Sequence, residues 1–170
     1  MIIFGNWKHK NAELAEQLLS YGIDCEQLSG DIAQNKRIRI LERFKSGACK
    51  VVVATDVAAR GIHVDGISHV VNYDVPEQAE DYVHRIGRTG RAGKRGKSIT
   101  FVCEYGAYYL PAIEEYAGIK AVTIQPEEEC FVLPERVRPL KHAARSRSEY
   151  GGRSGGGGRS GGRSSRGRRG

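Results

Sequence analysis

Short apolar runs that alternate with segments of helical periodicity are the feature that most restricts the fold of this chain. The clearest run, Val51–Ala54, has four apolar residues in succession, which is typical of a strand whose two faces are both covered. Residues 2–4, 70–73 and 98–102 are similar runs, and residues 25–28 are a weaker candidate. The sequence therefore predicts about five buried strands.

Four helices are predicted between and after these strands. Apolar residues recur at helical spacing over residues 12–19, 32–44, 79–86 and 108–116, and a glycine closes each of the first two segments. Strands that alternate with helices in this way build a parallel sheet. We therefore predict an α/β fold, a doubly wound parallel sheet with helices on both faces, whose working residues lie at the carboxyl ends of the strands.

The composition of the chain changes near residue 120 and again near residue 140. Residues 1–120 are predicted to form one domain. Residues 121–140 are predicted to be an extension that is irregular or packed on this domain, with an edge-strand candidate at 122–124. Residues 141–170 are predicted to be a basic, disordered tail, because Gly, Arg and Ser cannot bury enough apolar area to offset about 1–2 kcal/mol of backbone entropy per residue.

The positive charge of the chain lies in its last quarter. From residue 135 onward there are eleven Lys or Arg against two Asp or Glu, whereas residues 1–134 have sixteen against eighteen. The net charge of +7 therefore belongs to the tail, which indicates an anionic partner such as nucleic acid. The role of the nearly neutral domain has to be argued from individual residues.

The cysteines and the apolar segments exclude several classes of protein. The four cysteines contain no CxxC pair, so we expect reduced thiols and neither a metal site nor a disulfide framework. There is no run of about 18 apolar residues and no signal-peptide pattern. A cytoplasmic protein that does not bind a membrane is expected.

Residues 84–91 read HRIGRTGR and carry most of the functional information. A basic run is usually a solvated surface, but the regular spacing of Arg85, Arg88 and Arg91 with intervening glycines is difficult to explain by solvation. Guanidinium groups present planar, paired donors that suit phosphate oxygens. Glycines allow the backbone to turn or to approach a ligand closely. The pattern indicates a phosphate-binding loop.

Five segments together resemble the DEAD-box RNA helicases. Residues 84–91 resemble motif VI of that family, residues 54–64 (ATDVAARGIHV) its motif V, and residues 2–6 (IIFGN) its motif IV. Residues 29–31 (SGD) and 34–37 (QNKR) are similar to the Gly-Asp and QxxR elements. The resemblance covers about residues 1–120, with the motifs in the family's order, and implies the RecA-like fold of the C-terminal helicase domain.

The resemblance implies an ATP site that this chain completes. Arg88 and Arg91 match arginine fingers that contact the γ-phosphate of ATP, and they are the expected catalytic residues. Gly61 and His63 of motif V would lie at the nucleotide. Most family members have Asp at the position of His63, where it contacts the ribose, so His63 is either a substitute contact or a loop histidine without a ligand.

The remaining site residues are expected to support the ATP site or to bind RNA. By resemblance, Arg85 supports the site with Asp56 as its ion-pair partner, and His84 lies beside them. The family also implies contacts with the RNA backbone that do not read the bases, which suits small residues and hydroxyl groups. The residues expected there are Asn6, Gly30, Arg37 and Thr55.

The chain lacks two parts of the family's ATP site. It contains neither a GxxxxGK[ST] phosphate loop nor a DEAD segment. The resemblance places both on an N-terminal RecA-like domain, which would bind most of the ATP and Mg²⁺. We therefore expect an ATP-dependent RNA helicase in the full-length protein and no hydrolysis by this chain alone.

Two alternatives to the helicase half remain open. One is a superfamily-2 DNA helicase, which the RNA-type motif VI and QxxR element disfavour. The other is a module without catalysis that tethers RNA or docks a partner. Residues 110–114 and His63 are similar to the branch of the family found in bacterial RNA degradosomes, which implies an endoribonuclease scaffold as a partner and RNA decay as the setting.

Four aromatic residues admit two interpretations. Tyr108, Tyr109 and Tyr116 could stack on bases, although packing within and around the core is favoured for a terminal amphipathic helix. Trp7 follows the motif IV strand and adjoins the expected path of the RNA. It is a candidate for RNA contact.

Overall fold

Five parallel strands form one sheet in the order β2-β3-β1-β4-β5. The structure is a computed structural model, and it describes residues 1–62, 64, 66–91 and 93–137. The strands are β1 (Ile2–Phe4), β2 (Cys25–Leu28), β3 (Val51–Ala54), β4 (His69–Asn72) and β5 (Lys97–Thr100). All five predicted strands are present within one or two residues of their expected bounds. The prediction of a doubly wound parallel sheet is confirmed.

The central strand, β1, pairs with a neighbour on each side. Ile2 lies opposite Val52 of β3 and Val70 of β4. Every residue of β3 is buried, which explains its continuous apolar run. The edge strand β5 is largely exposed, in keeping with its more polar sequence, KSIT.

The helices follow the strands in the expected alternation. They are α1 (Lys8–Ser20), α2 (Gln34–Lys45), α3 (Asp56–Ala59), α4 (Ala79–Ile86), α5 (Glu104–Ala107) and α6 (Leu110–Ala117), followed by a short 3₁₀ helix at Glu128–Phe131. The predicted helix at 108–116 begins later than expected, because Pro111 favours the first turn of a helix.

Side chains of β1 point alternately into two cores. Ile2 and Phe4 join a cluster that α2 covers with Ile40 and Phe44. Ile3 points to the opposite face and packs in a cluster with Ala15 of α1. The helices therefore cover both faces of the sheet, as a doubly wound fold requires.

A third cluster joins α4 to α6 through Tyr82 and Ile113. Tyr109 packs against this cluster, as expected for a packing residue. Tyr108 is 84% exposed and contacts the rim, where its ring lies edge-on to Tyr109, and Tyr116 is also exposed. A helix that buries one narrow stripe, here around Ile113, leaves residues on its other sides in solvent.

The segment after α6 is not a strand. The edge-strand prediction at 122–124 is wrong, because those residues have no regular structure and are exposed. The chain returns to the domain near residue 137, where the Val137 amide donates to the Ser20 carbonyl at 2.8 Å. The Arg136 guanidinium lies 5.4 Å from the centroid of the Tyr21 ring. The boundaries predicted at residues 120 and 140 stay a prediction.

Within the residues that the structure describes, no helix combines the length and apolar character needed to cross a bilayer. The four cysteines are free. Burial raises the pKa of the Cys25 thiol to about 11 and also raises that of Cys49. Both of these buried thiols are therefore protonated near neutral pH.

A close backbone approach holds the turn that follows α4. A Cβ atom added to Gly96 would lie 2.6 Å from the Gly90 amide nitrogen, too close for any real side chain. The Thr89 hydroxyl in the same turn donates to the Ile67 carbonyl. Gly96 therefore allows the segment before β5 to pack directly against the turn that carries Arg88 and Arg91.

We expect Gly96→Ala to destabilise the domain, because the added methyl group has to displace backbone. Overpacking of this kind costs about 1–3 kcal/mol. Each kcal/mol lowers the melting temperature by roughly 2–4 °C in a chain of this size. Gly30→Ala is the matched control, since its nearest atom would be 4.0 Å away. Thermal unfolding followed by circular dichroism measures both, and equal melting temperatures would contradict the rigid contact.

Candidate functional site

The candidate residues lie at the carboxyl edge of the sheet. Asn6 follows β1, Thr55 and Asp56 follow β3, and Asp74 follows β4. The carboxyl ends of parallel strands meet at the same edge, where ligands bind in folds of this kind. Helix α4 brings Arg85 to this edge, and the three strand ends meet around its side chain.

Arg85 binds the ends of β1 and β3 together. Its Nε donates to Asp56 Oδ1 at 2.8 Å, and its Nη2 donates to Asp56 Oδ2 at 2.7 Å. The same Nη2 donates to Asn6 Oδ1 at 2.7 Å. The two parallel bonds to Asp56 are the bidentate geometry in which a guanidinium binds a carboxylate most strongly.

Arg85 also binds the end of β4. Its Nη1 donates to the Asp74 carbonyl at 2.8 Å, and its guanidinium lies 5.4 Å from the centroid of the Phe4 ring. The Arg85 side chain is 1% exposed, whereas that of Asp56 is 26% exposed. A charge buried to this extent requires such a complete set of partners. Arg85 therefore has an internal, organising position.

Asn6 and Asp74 complete the same cluster. The Asn6 backbone amide donates to Asp74 Oδ2 at 2.9 Å, and Asn6 Nδ2 donates to the Val75 carbonyl at 2.9 Å. Both ends of the Asn6 side-chain amide thus have protein partners, and its proposed contact with RNA stays a prediction. The sequence analysis did not predict Asp74 as a site residue. Its position directly after the predicted strand 70–73 could have indicated it, because the carboxyl ends of parallel strands carry the site.

Thr55 caps α3 through its side-chain oxygen. Its Oγ1 accepts from the Ala58 amide at 3.4 Å, so the hydroxyl proton is not used in that bond. Gly30 lies near α3, since a Cβ added there would be 4.0 Å from Val57. Arg37 Nη2 donates to the Arg60 carbonyl at 2.9 Å. The candidates that follow β2 and β3 therefore surround the short helix α3.

Arg88 and Arg91 differ from Arg85 in their partners. Arg88 Nη1 donates to the Ile62 carbonyl at 3.3 Å, and Arg91 Nε donates to the Gly87 carbonyl at 2.6 Å. Across residues 1–62, 64, 66–91 and 93–137, neither forms an ion pair with a carboxylate. Arg88 is partly buried and Arg91 is exposed. No carboxylate of the described part of the chain therefore compensates their positive charges.

The positive charges of Arg88 and Arg91 affect each other. Partial burial, and then the positive charge of Arg91, lower the pKa of the Arg88 guanidinium from its ordinary value. A guanidinium remains charged near neutral pH even so. An anion that approached both side chains would relieve this repulsion. The electrostatics of the turn thus favour a phosphate group.

A pocket of about 250 Å³ opens beside Arg85 and Arg88, and Arg91 is not among the residues that line it. His84, Arg85, Arg88 and Asp56 line it, together with Phe4, Ala59, Arg60 and Asp81. His84, expected to support the site, is an exposed residue of this wall. The pocket therefore places Arg88 close to the buried cluster that fixes α4.

Two predicted nucleotide contacts come from the loop after α3. Gly61 has a φ of 75°, a left-handed conformation that glycine adopts without strain. His63 lies outside the described residues. For the described part of the chain, no group of three or more His, Cys, Asp or Glu side chains is placed to hold a metal ion.

A larger pocket of about 830 Å³ lies at the opposite edge of the sheet. Its lining includes Met1, Val51 and His69, which precede or begin strands. None of the predicted site residues that the structure describes lines it. The candidate site is therefore the smaller, charged region at the carboxyl edge.

Residues 1–93 match the family described as the helicase conserved C-terminal domain. The ATP-dependent RNA helicase RhlB of Pseudomonas putida is 54% identical over 142 residues, which cover 84% of this chain and 35% of the relative. RhlB of Shewanella denitrificans is 48% identical over 171 residues, covering 97% of this chain and 40% of the relative. The chain thus spans about a third of the length of such relatives.

A solved structure supports the same assignment. Domain 2 of the Mss116p DEAD-box helicase, bound to an RNA duplex, has a TM-score of 0.67 and 32% identity. The likeness covers 75% of this chain and 52% of that one. Motif order, sheet topology and relatives agree, and the chain therefore belongs to the helicase conserved C-terminal domain family, with the RecA-like fold of the C-terminal domains of DEAD-box helicases.

Proposed function

We propose that this chain is the half of an ATP-dependent RNA helicase that completes the ATP site and forms part of the RNA groove. The observation that carries this proposal is the contrast among the three motif VI arginines. Arg85 is buried with four hydrogen bonds, whereas Arg88 and Arg91 of the same segment pair with no carboxylate among the described residues. The first fixes the segment, and the other two are available to a ligand.

Arg88 and Arg91 act as arginine fingers in this proposal. ATP and Mg²⁺ held by an N-terminal RecA-like domain would face Arg88 and Arg91 when the two domains close. The two guanidinium groups then stabilise negative charge that spreads over the transferring phosphoryl oxygens. Arg85 is a positioning residue, because its contacts with Asp56 and Asn6 set the direction of the turn that follows α4.

The RNA contacts lie around α3 in this proposal. Gly30 permits close approach, the Thr55 hydroxyl can donate to a phosphate, and Arg37 adds positive charge. Such contacts hold the sugar-phosphate backbone without reading the bases. The Mss116p domain that resembles this chain is bound to an RNA duplex. The proposed activity is unwinding or remodelling of short RNA duplexes.

The setting that we propose is RNA decay in the cytoplasm. The relatives named RhlB support an RNA-directed enzyme. Docking on an endoribonuclease scaffold follows from the resemblance to the degradosome branch. Residues 138–170 lie outside the described residues, and the net positive charge of the tail supports its contact with RNA.

In the complete helicase, we expect Arg88→Ala and Arg91→Ala each to lower kcat for RNA-stimulated ATP hydrolysis. Loss of an arginine finger lowers kcat about 10³- to 10⁵-fold in GTPases. Because two arginines share the phosphate charge here, each single substitution should lower kcat by at least part of that factor. Steady-state phosphate release measures the effect. Arg95→Ala removes a nearby exposed cation and should leave kcat unchanged.

The isolated 170-residue chain is the blank in this assay and should hydrolyse ATP no faster than buffer. Normal kcat in both finger variants would refute the assigned roles. Turnover by a rigorously purified sample of the isolated chain would refute its description as half of an ATP site.

We expect Arg85→Met to act on stability instead. The substitution keeps much of the volume but leaves Asp56 and Asn6 without their shared donor. Removing one partner of a buried ion pair costs about 3–5 kcal/mol, and the partial exposure of Asp56 places the effect at the lower end. Urea unfolding of the chain measures the change. Arg95→Met, on the surface, should stay within about 0.5 kcal/mol of wild type.

Deletion of residues 141–170 should flatten the salt dependence of RNA binding. The deleted segment contains nine Lys or Arg. Each phosphate contact with a single strand contributes about −0.7 to the slope of log K against log salt. Fluorescence anisotropy of labelled RNA at several salt concentrations gives the slope. An uncharged Gly/Ser segment of equal length is the control, and an unchanged slope would reject the tail as an RNA contact.

A further inference from the structure

Trp7 occupies a position that local folding does not explain. It is the N-cap residue of α1, with extended backbone angles of −116° and 123°, and its side chain makes no capping hydrogen bond. N-caps favour Ser, Thr, Asp or Asn, whose side-chain oxygens accept from the free amides of the first turn. A tryptophan at this position leaves those amides without a side-chain acceptor.

Packing does not explain Trp7 either. The residue is 50% exposed and belongs to none of the three hydrophobic clusters. The Trp7 ring lies beside the His9 ring, with 6.5 Å between the centroids and 44° between the ring planes. Exposure of so large an aromatic surface is unfavourable in water. A ligand that covered the ring would recover this free energy.

The surroundings of Trp7 place it at the proposed RNA groove. Asn6, on one side, belongs to the Arg85 cluster. Lys8, on the other, pairs with Asp31, the neighbour of Gly30, and its carbonyl accepts from Gln27 Nε2 at 3.2 Å. Trp7 therefore begins α1 where β1 and β2 both end, on the edge that carries the proposed backbone contacts.

The charge around Trp7 favours a nucleic acid over an apolar protein segment. The first turn of α1 contains no acidic residue; Lys8 is paired with Asp31, whereas the exposed Lys10 forms no ion pair within the described residues. Cations near a helix N-terminus are unfavourable for the helix itself, since that end already carries partial positive charge. The combination of a flat aromatic face with a positive border is the arrangement that binds single-stranded nucleic acids.

We propose that Trp7 is a stacking platform for one unpaired base of an RNA strand held in this groove. The inference rests on the proposed function and adds a contact with a base to contacts that otherwise involve only the backbone. Stacking tolerates every base, because each has a π face. The groove would thereby retain a strand segment that is single-stranded and discriminate against a segment whose bases are paired.

The chain offers a direct probe, because Trp7 is its only tryptophan. Titration with a single-stranded oligoadenylate should quench Trp7 emission in parallel with binding, which the anisotropy of the labelled RNA reports separately. An abasic ribose-phosphate oligomer of the same length should bind through its backbone without quenching. Quenching by the abasic oligomer to the same extent would overturn stacking.

Two substitutions separate stacking from folding. Trp7→Thr should bind oligoadenylate about 5- to 150-fold more weakly, the loss typical of one base-stacking aromatic. The same variant should melt at or above the wild-type temperature, because Thr is a favourable N-cap. Trp7→Phe retains an aromatic face and should keep most of the affinity.

The outcomes distinguish this inference from the proposed function. The inference would be overturned if Trp7→Thr bound RNA with wild-type affinity and RNA binding to the wild-type chain did not quench Trp7. The proposed RNA groove would remain in that case. Failure of the wild-type chain to bind any RNA at low salt would overturn the groove and the inference together. Quenching by a protein partner instead of RNA would also overturn the inference.

Discussion

The ion pair between Arg85 and Asp56 is the interaction on which the site depends. One guanidinium joins the ends of three strands, which follow one another across the sheet as β3, β1 and β4. Taking a cation out of water is costly, so the position persists only while every partner is in place. The ends of β1, β3 and β4 therefore keep their relative positions together, and few intermediate arrangements of this edge are available.

The three arginines Arg85, Arg88 and Arg91 have different environments and different proposed roles. The three arginines of one short segment have the same intrinsic chemistry, and their burial and partners alone distinguish them. Arg85 lies in α4, where the helix orients it inward, whereas Arg88 and Arg91 lie beyond the end of that helix at Gly87. Helix termination therefore separates the structural residue from the two that are proposed to meet ATP.

Much of the fold was predictable because its signals are local. The apolar run of β3 and the periodicity of α4 each reflect burial of a single element, and both were predicted within a residue. The pairing of Arg85 with Asp56 was expected only from the family resemblance. Engagement of Asn6 and Asp74 was not expected, because it depends on strand order in the sheet. The failed strand at 122–124 had apolar residues, but it pairs with neither edge of the sheet, β2 or β5.

The position of Thr55 at the start of α3 has a consequence for communication across the site. Its hydroxyl caps the helix whose first residue, Asp56, holds Arg85. In the proposed helicase, a phosphate that displaces Thr55 would therefore also shift the carboxylate that orients the arginine turn. A single peptide bond separates the residue assigned to RNA from the one assigned to the nucleotide side. Such a linkage is reciprocal, so ATP at the turn would change the affinity of the groove for RNA by the same factor by which RNA changes the affinity of the site for ATP.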